Sequence, residues 1–121
     1  MVSARWSNGY MTDIEYEAFY FPELAPGLLD FVCLQMARRP PPAGAPYTYC
    51  ELGCGMGMTT LILAASNPAG RYWGVDFNPS HIAAARQLAQ ESGIDNVTFI
   101  EAGFGELPQH DLPPMDYITS H

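Results

Sequence analysis

Lysine is absent from the 121 residues, and five arginines stand against thirteen acids, for a net charge of −8. A chain so poor in cations has little with which to neutralise a phosphate backbone, so nucleic acid is not an expected partner. The bland account of the missing lysine, a genome favouring arginine codons, is preferred to a functional one. No run of eighteen apolar residues occurs, although 48% of the chain is hydrophobic, so no membrane-spanning helix is expected. No apolar stretch follows Arg5, so no secretory signal is visible, and a cytoplasmic location is expected. Cysteine is scarce. Cys33, Cys50 and Cys54 make neither a disulfide framework nor a zinc pattern, so they are read as small buried residues, and no metal is expected.

Glycine and proline, eleven of each, punctuate the rest. Residues 1–22 carry Trp6, Tyr10, Tyr16, Phe19, Tyr20 and Phe21 among acids, without a long period, and read as an irregular arm. Pro22 and Pro26 frame a helix start. Leu24, Leu28, Leu29, Phe31, Val32, Leu34 and Met36 continue with helical spacing, and the helix is predicted to end at Arg38-Arg39. The proline run 40–42 opens a linker to Pro46. Beyond it, strands and helices alternate. Strands are predicted at 47–52, 71–76, 97–101 and 116–120, and helices at 59–65 and 80–92, the latter capped by Asn78 and ended by Gly93. This pattern predicts an α/β fold, a Rossmann-like, doubly wound parallel sheet over 47–121, preceded by a 1–46 arm, helix and linker.

The chemistry is concentrated in Tyr49-Cys50-Glu51-Leu52-Gly53-Cys54-Gly55-Met56-Gly57, with Asp76 nineteen positions after the last glycine. A strand entering a glycine turn, then a helix, then a strand ending in an acid is how such a sheet makes a nucleoside-cofactor pocket. The glycines are not spaced as G-x-G-x-x-G, and Glu51 would repel a pyrophosphate while suiting a cationic ligand. Both points weigh against a nicotinamide-dependent oxidoreductase.

ELGCGMGMTT resembles motif I of the class I S-adenosylmethionine-dependent methyltransferases, and Val75-Asp76-Phe77 resembles their motif II. The resemblance runs from about Tyr47 to His121. It implies S-adenosyl-L-methionine as cofactor, with Gly53, Cys54, Gly55 and Gly57 lining its methionine and ribose portion. Glu51 would lie beneath the turn, ordering its amides or facing the ammonium. Asp76 would accept from the ribose hydroxyls, and Phe77 would lie against the adenine. Many relatives follow the third strand with an acid that holds the adenine amino group, but this chain has Gly103 there. Backbone groups at Gly103 and Phe104 are the expected replacement, with Phe104 stacking on the ring and Glu106 a weaker substitute. Ser120 and His121 end the fourth strand at the pocket mouth, and His121 is the one weak candidate for a catalytic base. Tyr10, Tyr16 and Tyr20 are candidates for a lid, whereas His81 and His110 read as solvated or capping residues.

The family's complete sheet has seven strands, so the chain is expected to be truncated after the fourth, and inactive alone. The unfinished edge makes a homodimer an expectation. The segment from Tyr10 to Leu28, with Asp116–His121, resembles bacterial methyltransferases that carry a downstream methyltransferase regulatory domain, some of which methylate protein lysines. A methyltransferase acting on an unidentified acceptor, which the resemblance allows to be a protein, is therefore the leading expectation. A non-catalytic domain that senses or keeps the cofactor is the alternative.

Overall fold

Parallel strands force crossover connections, and short amphipathic helices supply them here. The computed structural model describes residues 18–121, so Trp6, Tyr10 and Tyr16 lie outside the described residues. A short 3-10 helix at Pro22–Leu24 leads into α1, Pro26–Gln35. Then follow β1 Thr48–Leu52, α2 Met58–Ser66, β2 Arg71–Asp76, α3 Pro79–Ser92, β3 Val97–Glu101, a second 3-10 helix at Phe104–Gln109, and β4 Tyr117–Ser120. The four strands form one parallel sheet in the order β3-β2-β1-β4. This is the expected α/β Rossmann-like fold.

The order brings the carboxyl ends of β1 and β2 side by side, where Leu52 pairs with Val75. Sheet order reverses at β1, since the chain moves outward through β2 and β3 and returns to the other side as β4. Ligands bind at such switch points, outside the carboxyl ends of the strands.

One face of the sheet carries Tyr49, Tyr72 and Tyr117 beside Leu63 and Ala64 of α2. Further along, Phe99 packs with Leu61, Ile82, Ala85 and Ala89. The opposite face carries Cys50, Trp73, Val75 and Ala102, covered by Leu107, Leu112 and Met115 from the segment between β3 and β4. A loop and a 3-10 helix thus do there what a helix does on the first face.

Two elements differ from expectation. α1 ends at Gln35, before the arginines, because Ala37 turns left-handed (φ 54°) and Arg38 N–H donates to Cys33 C=O at 2.7 Å. This closes the helix in the manner of a left-handed cap. Of the residues at helical spacing, Leu28, Phe31, Val32, Leu34 and Met36 are exposed, and Leu29 packs towards the tyrosine cluster. The sequence pattern predicts no helix between the third and fourth strands, yet Phe104–Gln109 forms the second 3-10 helix, whose entry is set by Glu106 accepting from Gly103 N–H at 2.8 Å.

Candidate functional site

At the switch point the backbone reverses through Gly53, Gly55 and Gly57, all with left-handed φ (72°, 56° and 77°) that L side chains rarely adopt. The turn is fixed from the neighbouring strand. Val75 C=O accepts from both Gly53 N–H (2.7 Å) and Cys54 N–H (2.9 Å). Asp76 Oδ2 accepts from Gly55 N–H at 2.9 Å, and its Oδ1 accepts from Asn78 N–H at 2.8 Å. One carboxylate therefore ties the glycine turn to the start of α3. Each oxygen retains acceptor capacity, so this structural duty is compatible with ribose hydroxyls as further donors. Asn78 in turn caps α3, accepting from Ser80 N–H.

Of the two roles expected of Glu51, ordering the turn amides or facing the ammonium, the first falls to Val75 and Asp76. Glu51 is buried beside the turn and accepts from Thr60 Oγ1 at 2.7 Å. Burial pushes its carboxyl up to about 7, partly opposed by the Thr60 hydrogen bond and helped by the charge of Asp76. Burial also raises the thiols, Cys50 to about 11 and Cys54 further, so neither is poised as a thiolate.

A cavity of about 590 Å³ opens here, within the range of small-molecule sites. Glu51, Gly53, Cys54, Gly55, Asp76, Phe77, Gly103, Phe104 and His121 all line it. Of the nine sequence-predicted residues for the cofactor, Gly57 is the one set back from the lining. A Cβ there would meet Phe99 at 2.5 Å, so its role is the close packing of turn on sheet. Phe104 lies at the rim, half exposed, facing Gly53. Glu106 is engaged with Gly103 N–H.

Other lining residues were missed. His81 was expected as a solvated or capping residue, and it is buried on the first turn of α3, with Nδ1 3.9 Å from Asp76 Oδ1. Its position three residues after the Asn78 cap, on the side facing the strand ends, was the available signal. Of the tyrosines proposed as a lid, Tyr20 is not among the lining residues. Phe19 and Phe21 are instead, with Ala18. His121 stacks on Phe21 with ring centroids 3.7 Å apart, and its Nε2 is 3.4 Å from Glu23 Oε1.

The donor set discriminates between ligands. Two carboxyl groups, Glu51 and Asp76, border the turn, and among the described residues no lysine or arginine lines the cavity. Such a site disfavours a pyrophosphate and suits hydroxyls and a cationic centre. Beside Gly55 none of the described residues stands within 4 Å of where a Cβ would project, so the turn leaves room for a ligand against its backbone.

Comparison with known proteins agrees with the geometry. The family described as "Methyltransferase domain" matches residues 44–121. An uncharacterized protein of Synechocystis sp. is 37% identical over 116 residues, 96% of this chain and 23% of that protein. A tRNA (guanine-N(7)-)-methyltransferase of Christiangramia forsetii is 42% identical over 50 residues, 41% of this chain and 22% of that protein. Among solved structures, PKMT2 from Rickettsia typhi in complex with AdoHcy superposes with a TM-score of 0.80 at 24% identity, covering 88% of this chain and 20% of that one. The chain thus spans about a quarter or less of the length of these relatives.

Proposed function

The chain belongs to the family of methyltransferase domains, with S-adenosyl-L-methionine as its cofactor, and from that premise we propose that it is the cofactor-binding portion of an enzyme that methylates a protein. The observation that carries the reading is the clasp of Asp76 on Gly55, which holds an acid and a glycine turn together at the switch point of the sheet. Bound S-adenosylmethionine supplies the methyl group on a cationic sulfur. The chain's own residues bind and orient. Gly53 and Gly55 let the ligand meet the main chain, Asp76 offers acceptors for the ribose hydroxyls, and Phe77 and Phe104 offer apolar faces for the base. In-line methyl transfer depends on positioning more than on acid–base help. His121 is engaged by Phe21 and Glu23, and its place in this reading is structural. A protein acceptor is favoured over RNA by the net charge of −8 and the absence of lysine.

The test is calorimetric titration of S-adenosylhomocysteine into the protein and into its Asp76→Ala variant. Binding by the wild type, weakened at least about tenfold in the folded variant, is expected from the loss of one or two charged hydrogen bonds. Binding of NADH in place of S-adenosylhomocysteine would sink the reading.

A further inference from the structure

The cavity has one wall that no strand end or helix start supplies. Ala18, Phe19 and Phe21 line it, and they belong to a strap, residues 18–24, that reaches the site from outside the sheet. The strap is held by its backbone. Thr59, on the first turn of α2 and 2% exposed, accepts from Phe21 N–H at 3.0 Å and donates to Phe19 C=O at 3.4 Å. Thr59 itself lines the cavity. At the far end of the strap, Leu24 is buried and its carbonyl accepts from Tyr49 Oη at 3.1 Å. Tyr49 in turn accepts from Thr119 Oγ1 at 2.8 Å.

The two adjacent threonines of α2 have separate duties. Thr60 serves Glu51 beneath the glycine turn, and Thr59 serves the strap. The Thr59 hydroxyl bridges residues 38 and 40 positions away in sequence. Two main-chain groups of the strap, two residues apart, are thus bound to a helix that starts one residue after the last glycine of the turn. The position of the aromatic wall is set relative to the glycine turn, and so relative to whatever the turn binds. A wall placed before the ligand arrives removes an ordering cost that binding would otherwise bear.

We propose that Thr59 is a positioning residue for the cofactor, its hydroxyl latching the 18–24 strap so that Phe19 and Phe21 close the pocket opposite the glycine turn. The proposal rests on the S-adenosylmethionine reading of the same cavity. It assigns to Thr59 a part in affinity that a helix-core threonine would not have.

The experiment compares wild type, Thr59→Val and Thr59→Ser. Valine keeps the shape and removes both hydrogen bonds, and serine keeps the hydroxyl. S-adenosylhomocysteine affinity is expected to fall at least about tenfold in Thr59→Val and to stay within about twofold in Thr59→Ser. In parallel, hydrogen exchange at the Phe21 amide is expected to quicken in Thr59→Val and to slow in the wild type at saturating S-adenosylhomocysteine. Wild-type binding with equal affinity in a folded Thr59→Val overturns the latch and leaves the cofactor reading standing. No binding by the wild type overturns the cofactor reading itself. Should Thr59→Val not fold, the wild-type exchange decides, and a Phe21 amide whose exchange the ligand leaves unchanged overturns the latch.

Discussion

Glu51 shows how one side chain can serve a site at a cost to the fold. Its carboxyl is taken from water into a space beside Asp76, with the hydroxyl and backbone of Thr60 to compensate in part, and its pKa rises from 4.5 to about 7. The unfolded chain ionises it near pH 4.5, so between there and pH 7 the native state holds the proton longer. Stability contributed by the neutral form is complete below about pH 4.5 and is lost as pH rises through about 7. The displacement corresponds to about 3 kcal/mol when fully developed. Glu51→Gln keeps an acceptor for Thr60 and removes the charge. The variant is expected to gain stability over the wild type at pH 8 by up to about 3 kcal/mol, and to differ little at pH 4.5. Urea unfolding of both proteins at the two pH values measures this, and parallel changes with pH would refute it.

At the scale of elements, the glycine turn separates two reasons for lacking a side chain. Gly57 and Gly74 both leave space that Phe99 fills, since a Cβ would lie 2.5 Å from the ring at Gly57 and 2.6 Å at Gly74. Gly55 has the same left-handed backbone but open space around it. Gly57→Ala therefore combines strain with a clash against a buried ring, and a loss of about 3 kcal/mol or more is expected. Gly55→Ala meets only the strain, about 1–2 kcal/mol, yet its methyl stands where a ligand would approach. Thermal unfolding should thus rank Gly57→Ala as the less stable, while S-adenosylhomocysteine titration should show Gly55→Ala as a folded protein with weakened binding. A Gly55→Ala variant that binds as the wild type does would remove that glycine from the site. The alternation of elements was legible because each signal was local: apolar strands of five or six residues, Asn78 before Pro79, Gly93 in a left-handed cap. The turn and Asp76 were legible for the same reason. The strap was not, because its place depends on hydrogen bonds to Thr59 across 38 and 40 residues, and no period in 18–24 announces them. Gly74 was legible in principle, since a glycine inside a strand marks a close approach. The early end of α1 was hidden because it turns on Ala37, a residue with no preference for the left-handed region.

At the scale of the whole chain, charge bears on the proposed acceptor. The relatives named for tRNA methylation match 50 and 71 residues of this chain, and a shared fold does not decide between acceptors. Binding of RNA does require cations, because affinity comes from displacing the counterions of the phosphates. This chain has five arginines, no lysine and an excess of eight negative charges. Arg71 lies 4.9 Å over the Trp73 ring, and Arg86 donates to Phe99 C=O from both Nε and Nη2, so two of the five have duties within the fold. Bulk tRNA at 150 mM salt is expected to show no binding to the protein up to about 100 μM, the weak end of the non-specific range. A lysine-rich peptide should behave oppositely, binding at low salt and losing affinity as salt rises, because its charge complements the acidic surface over about one Debye length. Fluorescence anisotropy with both probes across a salt series separates the acceptor classes. Salt-sensitive tRNA binding together with an inert basic peptide would overturn the protein-acceptor reading, and it would do so without touching the cofactor site, whose contacts with hydroxyl groups carry little salt dependence.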